Sequence, residues 1–215
     1  MYEPDGPDEA HVFSQQFWDE RYAEHDHVWS GQPNPRLVEH ATELPPGLAL
    51  DVGCGEGADV VWLAGRGWRA TGADLSVVAL EKARRHAGEA GVADRTDWVH
   101  VDLAADPLPG GADLVSAMYV HVPEADFDRV YTAIAEAVRP GGTLLVAGHH
   151  PAERDTDLRN PHLSHLLFPP ERVTSLLEDG WRIDVADART REVPGHDGEP
   201  RVATDTVVVA RRDPA

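Results

Sequence analysis

Apolar positions along the chain follow two alternating periods. "LALDVGC" (48–54), "WRATGAD" (68–74), "TDWVHVD" (96–102), "ADLVSAMYV" (112–120) and "TLLVAGH" (143–149) are short runs. Most are apolar on both faces of an extended chain, as in strands buried on both sides. Between them "GADVVWLAGRG", "SVVALEKARRHAGEAG" and "EADFDRVYTAIAEAVRPGG" place apolar residues at helical spacing. Strands alternating with helices imply a parallel sheet covered on both faces, an α/β doubly wound, Rossmann-like architecture.

The two ends of the chain depart from this alternation. "SQQFWDERYAE" reads as a short amphipathic helix capped by Ser14, with Phe17, Trp18 and Tyr22 as its large side chains. "NPRLVEHATELPPG" reads as a second helix with Asn34 as cap, Pro35 at the first helical position and Pro45-Pro46-Gly47 as its end. "HHPAERDTDLRNPHLSHLLFPP" has turn formers and no clear period, and is long for a plain connection. A helix "ERVTSLLEDG", a strand "WRIDVADAR", a loop and a strand "DTVVVARR" follow, and two strands with no helix between them pair antiparallel. One domain is expected: an N-terminal helical lid (1–47), a ligand-binding core (48–149), an insertion over the site (150–170), and the last helix with the antiparallel strand pair (171–215).

A chain of 215 residues with 41% hydrophobic content can bury one ordinary core. Its one cysteine, Cys54, rules out an internal disulfide framework. With no apolar run long enough to span a bilayer and no signal peptide in "MYEPDGPDEAHVF", the expected compartment is the cytoplasm. A formal charge of -19 argues against nucleic acid and anionic membranes. A small molecule is the expected partner.

The chemistry concentrates in "DVGCGEGA". Gly53, Gly55 and Gly57 sit where a strand turns into a helix, so positive φ and close backbone approach by a ligand are allowed. No Gly-Lys-Ser/Thr follows, which excludes a phosphate loop, while a dinucleotide site of the G-x-G-x-x-A kind stays open. Three acids separate the readings. Asp51 at a strand end repels a pyrophosphate and suits an amino group or a sulfonium. Asp74 ends the next strand, near the ~20-residue spacing at which an acid takes ribose hydroxyls. Asp102 ends the third, where a carboxylate accepts from an adenine amino group. An adenosine with a charged amino-acid tail matches all three.

"ALDVGCGEGADVVWLAGRGWRATGADLS", "WVHVDL", "ADLVSAMYVHVP" and "VRPGGTLLVAG" resemble, in order, the motifs of class I S-adenosylmethionine-dependent methyltransferases. "FWDERYAEHDHVWSGQPNP" is similar to the segment preceding the fold in small bacterial enzymes of the thiopurine and tellurite-resistance type. The resemblance implies a seven-stranded sheet of order 3-2-1-4-5-7-6 with the last strand antiparallel, and S-adenosyl-L-methionine as cofactor. It implies that Asp51, Gly53 and Gly55 cradle the methionine part, that Asp74 binds ribose, and that Leu75, Asp102 and the Leu103 amide meet the adenine. Met118 would line the floor near the sulfonium, and "RPGG" (139–142) would be a structural turn.

Cys54 belongs to the same loop and is expected as a compact filler rather than a nucleophile. Trp29, in "HVWSGQPNP", is expected to point inward as part of a lid whose rings face a cation. For the acceptor side, Tyr119 and His121 after the fourth strand and His149 after the fifth are the catalytic candidates, His121 first. No metal is expected: His149 and His150 would point to opposite faces of an extended strand, and His162 and His165 have no cysteine partner. A thiol or other soft nucleophile is the expected acceptor. Alternatives are an O- or N-methyltransferase with His121 as base, a nicotinamide-dependent oxidoreductase, and a protein that binds the cofactor without turnover.

Overall fold

The computed structural model describes residues 9–154, 156, 158, 161–194 and 199–215. β1 (Leu48–Val52), β2 (Arg69–Asp74), β3 (Thr96–His100), β4 (Ala112–Met118) and β5 (Val138–His149) pair in parallel. β7 (Pro200–Arg212) lies antiparallel between β5 and β6 (Trp181–Pro194), giving the order β3-β2-β1-β4-β5-β7-β6. This is the sheet expected from the resemblance.

The period of two along the central strands divides the core into two layers. Val115, Leu144, Val146 and Val208 are buried on one face, and Leu114, Leu145, Val207 and Val209 on the other. The first layer is closed by α6 (Phe127–Glu136), which buries Phe127, Val130, Tyr131 and Ile134 along one stripe. α3 (Pro35–Ala41) closes the second with Leu37, beside Leu63 of α4 (Ala58–Gly65) and Leu80 of α5 (Val77–Glu89). Truncating Ile134, fully buried, to Ala would cost about 2–5 kcal/mol.

α1 (Glu9–Val12) leads into α2 (Gln15–Glu24), which is capped as read, Ser14 accepting the Phe17 amide. α3 is capped by Asn34 with Pro35 in its first turn. It ends at Ala41, before the Pro-Pro-Gly, with Thr42 as its C-cap donating both its amide and its hydroxyl to the Val38 carbonyl. α7 (Pro170–Thr174) is also shorter than the helix expected over "ERVTSLLEDG". Thr174 and Ser175 bond back to carbonyls three residues earlier, the local competition that ends helices.

The largest departure is the β6–β7 pair. The expected loop between "WRIDVADAR" and "DTVVVARR" is mostly ladder, paired from Trp181↔Arg212 to Pro194↔Pro200. β5 reaches β7 only as far as His149↔Asp205. The hairpin therefore runs on past the carboxyl ends of the parallel strands as a two-stranded arm. Of the segment 150–170, Leu166, Leu167 and Phe168 are buried, Phe168 against Phe127 and Tyr131. Among the described residues no helix is long and apolar enough to cross a membrane.

Candidate active site

The carboxyl ends of β1 to β5 meet along one edge, and the glycine loop opens there. Gly53, Gly55 and Gly57 all have positive φ (69°, 52° and 82°). A Cβ on Gly53 would lie 2.8 Å from Val120, and one on Gly55 would lie 2.8 Å from the Tyr22 hydroxyl. The loop is shaped from outside: Asp74 accepts the Gly55 amide through one oxygen at 2.8 Å and the Ser76 amide through the other at 2.9 Å. Cys54 is buried, and a Cβ on Gly72 would lie 2.7 Å from its sulfur, so it fills the space between β1 and β2. Burial, then the charges of Asp74 and Asp51, push its thiol well above the usual range, leaving a poor nucleophile.

Three acids crowd this loop. Asp51 is 4% exposed and accepts the Ser116 hydroxyl at 2.7 Å. Burial first, then repulsion from Asp59 and Asp74, hold it well above the usual carboxylate range. Burial lifts Asp59 to about 6, even though it accepts the Asn34 amide. Burial also raises Asp74. Such a cluster favours a bound cation, which would let these carboxylates ionise.

The N-terminal segment is fastened across the loop by carboxylates the sequence reading did not single out. Glu56, 5% exposed, accepts the Val28 and Trp29 amides at 3.0 and 3.2 Å, and its other oxygen meets Lys82 at 3.3 Å. Lys82 also donates to the carbonyls of His25 and Asp26. Asp19 takes the Ser76 hydroxyl at 2.6 Å and the Val78 amide at 3.2 Å, at the N-terminus of α5. Burial raises Asp19, but the donors Ser76, Gln15, Val78 and Val77 outweigh it and hold it below the usual range. Trp29 donates its indole N–H to the Tyr22 hydroxyl at 2.9 Å, beside Gly55, while staying 53% exposed. Tyr22 is buried and Trp29 forms the outer layer above it. The signals for these fastenings were an acid inside the glycine loop and an acid one turn into α2, each unremarkable alone.

The remaining cofactor-side candidates lie along the same edge. Leu75, Asp102, Leu103 and Met118 are half-buried. Asp102 accepts the Ala104 amide at 2.8 Å, which fixes its carboxylate at the start of a turn. Leu103 packs on the core layer of α6, and Met118 on the opposite layer, next to Ala147 of β5.

Past β4 and β5 the chain gathers rings. Tyr119 has φ +57°, the one positive value at a non-glycine position among the described residues. Its amide donates to the Ala147 carbonyl at 2.7 Å, and the buried Tyr131 hydroxyl donates to Val120. The His149 ring packs against those of Tyr119 (4.6 Å) and His121 (5.2 Å). All three catalytic candidates are thus brought together. The Tyr119 hydroxyl is engaged with Asp205 and Arg191, and burial, then the Asp205 charge, push it up, so it serves as a donor and not a base. Asp205, fully buried, is clasped by Arg191 at 2.9 Å and Arg36 at 3.2 Å. Glu153, 1% exposed, accepts the Thr204 amide and lies 3.8 Å from His149 Nδ1. The side chain of His162 lies outside the described residues; among those described, no group of three or more His, Cys, Asp or Glu could hold a metal ion. Two open cavities, of about 410 Å³ beside β3 and about 240 Å³ at the amino edge of the sheet, lie away from this edge.

The sheet order and the glycine loop with its acids define the class I S-adenosylmethionine-dependent methyltransferase fold. Residues 49–142 match the methyltransferase domain family. It is 38% identical over 111 residues to a ubiquinone biosynthesis O-methyltransferase of Idiomarina loihiensis, covering 51% of this chain and 45% of the relative. It is 33% identical over 140 residues to the protein of the same name from Methylococcus capsulatus, covering 59% and 58%. The chain thus spans about half the length of the curated relatives it matches. Among solved structures it is similar to TehB from Haemophilus influenzae (TM-score 0.70, 15% identity, 93% of this chain and 67% of that one). It is also similar to a methyltransferase from Geobacter sulfurreducens in complex with S-adenosyl-L-homocysteine (TM-score 0.57, 24% identity, 79% and 72%). At these identities the likeness establishes the fold.

Proposed function

We propose that this protein transfers a methyl group from S-adenosylmethionine to a small-molecule acceptor, with a thiol or other soft nucleophile as the atom methylated. The observation that carries this reading is the trio of acids, Asp51 and Asp59 buried and Asp74 half-buried, around a glycine loop of positive φ. That charge suits an ammonium, a sulfonium and ribose hydroxyls, and repels the pyrophosphate of a nicotinamide cofactor.

In this reading Asp51 with Gly53, Cys54 and Gly55 holds the amino-acid part, Asp74 the ribose, and Leu75, Asp102 and Leu103 the adenine. Met118 forms the floor. When bound, the cofactor supplies an electrophilic methyl group on a sulfonium, which the acceptor's lone pair displaces in line. The chain's own task is to align that nucleophile and keep water out. Residues 1–47, with Trp29 outermost, serve as the lid over the core of 48–149. The insertion of 150–170 covers the acceptor side, and residues 171–215 supply the arm that walls it. Tyr119, His121 and His149 line the acceptor space. A nucleophile already ionised near neutral pH needs little further help, which favours sulfur.

A second reading, methylation of oxygen, is favoured by the names of the curated relatives and by the presence of histidines at these strand ends. A hydroxyl needs a base, and His121 or His149 would take that part. Calorimetry with S-adenosylmethionine, S-adenosylhomocysteine and NAD, followed by labelled methyl transfer into matched thiols, phenols and amines, separates the readings. Binding of the first two with fastest labelling of thiols is expected. Faster labelling of phenols would move the assignment to oxygen. Binding with no labelled acceptor would leave a cofactor-binding protein, and tight binding of NAD alone would overturn the proposal.

A further inference from the structure

His149 is more tightly placed than a pocket-lining ring needs to be. It ends β5, and its ring packs against those of Tyr119 at 4.6 Å and His121 at 5.2 Å. Its Nδ1 edge faces Glu153 Oε2 at 3.8 Å, an ion-pair distance. Glu153 is itself anchored: it belongs to the turn Pro151–Glu153, its amide donates to the His150 carbonyl, and its second oxygen accepts the Thr204 amide of β7.

A carboxylate 1% exposed is costly to keep ionised unless donors or a cation face it. The charged and titratable groups around His149, among the described residues, come from four directions. Tyr119 and His121 follow β4, and Glu153 lies on the turn after β5. Asp205 is its register partner on β7, and the Arg191 guanidinium of β6 sits over the Tyr119 ring. Asp205 already meets two guanidinium groups, Arg36 and Arg191. Glu153 is the carboxylate that lies at ion-pair distance from His149.

We infer that Glu153 is a positioning residue for His149: it faces the Nδ1 edge so that Nε2 takes the acceptor's proton. This rests on the proposed methyl transfer at this strand edge. The acceptor's X–H bond breaks, its proton passes to Nε2, and its electron pair forms the bond to the methyl carbon. The sulfonium keeps the pair of the bond that breaks, and the proton on His149, held beside Glu153, is then lost to solvent. The arrangement places the base at His149 and gives His121 a packing role. It serves a thiol below its own pKa as well as a hydroxyl.

The test follows the His149 ring by long-range proton–nitrogen NMR in the complex with S-adenosylhomocysteine, together with kcat against pH. Wild type is compared with Glu153→Gln, which keeps an oxygen for the Thr204 amide. Removing the carboxylate removes stabilisation of the imidazolium. The ring titration and the limb of kcat are therefore both expected to move to lower pH by about 0.5 to 1 unit, with the plateau of kcat reduced about 5- to 50-fold. A role confined to holding the turn would lower kcat at every pH and leave both titrations in place, which overturns the inference. Should the variant not fold, the wild-type ring decides: hydrogen on Nδ1 supports the pair, hydrogen on Nε2 alone overturns it. The ring is read without turnover, so a failure to find any acceptor would count against the proposed function without silencing this result.

Discussion

The carboxylate that ends β2, Asp74, accepts the amide of Gly55 at 2.8 Å, so the acid proposed for the ribose also shapes the loop that follows β1. Replacing Asp74 by Ala leaves the Gly55 and Ser76 amides without this acceptor and removes the charge proposed for the ribose. Charge-assisted bonds of this kind contribute about 1.5–3 kcal/mol, which corresponds to weakening by roughly ten- to a hundred-fold. Calorimetry with S-adenosylhomocysteine should show that loss, and unchanged affinity would remove Asp74 from the site.

Asp59 bears on stability through pH. Its folded pKa of about 6 lies above the usual 3.8, so between these values the folded chain holds the proton more firmly than the unfolded one. Its contribution is therefore present below about pH 4 and lost as pH rises through about 6. Asp59→Asn, which still offers an oxygen to the Asn34 amide, should raise stability at pH 7.5 by on the order of 2 kcal/mol. It should also flatten the dependence of Tm on pH across that window. A variant no more stable than wild type at pH 7.5 would mean that the charge of Asp59 is answered in the native state.

The parallel sheet was legible because apolar runs on both faces have few other uses, and the loop because three glycines mark one strand-to-helix turn. The arm formed by β6 and β7 was hidden for the opposite reason. Beyond Ala188 the strand reads Arg-Thr-Arg-Glu-Val, mostly polar because the ladder there has left the sheet core, so no buried face announces it. The acids Asp51 and Asp74 were legible as strand ends. Glu153 was not, because its importance comes from Thr204 and His149, which only the fold brings near. Glu56 was hidden inside a motif whose glycines drew the reading, and Tyr22 was read as part of the lid rather than as the buried neighbour of Gly55.

Glu56 makes the lid testable. It binds the amides of Val28 and Trp29 and pairs with Lys82, so the segment over Gly55 depends on one side chain of the loop it covers. In Glu56→Gln the charge is lost and one acceptor oxygen remains. Protease cleavage between residues 24 and 34 should rise several-fold in the free protein and fall back with S-adenosylhomocysteine bound, as expected of local opening that the ligand closes. Cleavage that is equal in variant and wild type, with and without ligand, would leave the segment a packing element only.

Tyr119 carries the remaining argument, because its backbone is in a conformation that side chains avoid. A non-glycine residue at φ +57° costs of order 1 kcal/mol, and it persists only where the surroundings enforce it. Here the Ala147 carbonyl takes the Tyr119 amide, Tyr131 holds Val120, and Asp205 with Arg191 holds the phenol. Tyr119→Gly removes the strain together with the ring that packs on His149. If the strained conformation serves the acceptor side, the variant should keep its affinity for S-adenosylhomocysteine within about three-fold. Its kcat/KM for the acceptor should fall by at least about ten-fold, or ~1.4 kcal/mol of transition-state stabilisation. Tyr119→Phe, which keeps ring and backbone but loses the hydroxyl bonds, should lie between the two. Full activity in Tyr119→Gly would show that the ring wall on this side is not part of the machinery.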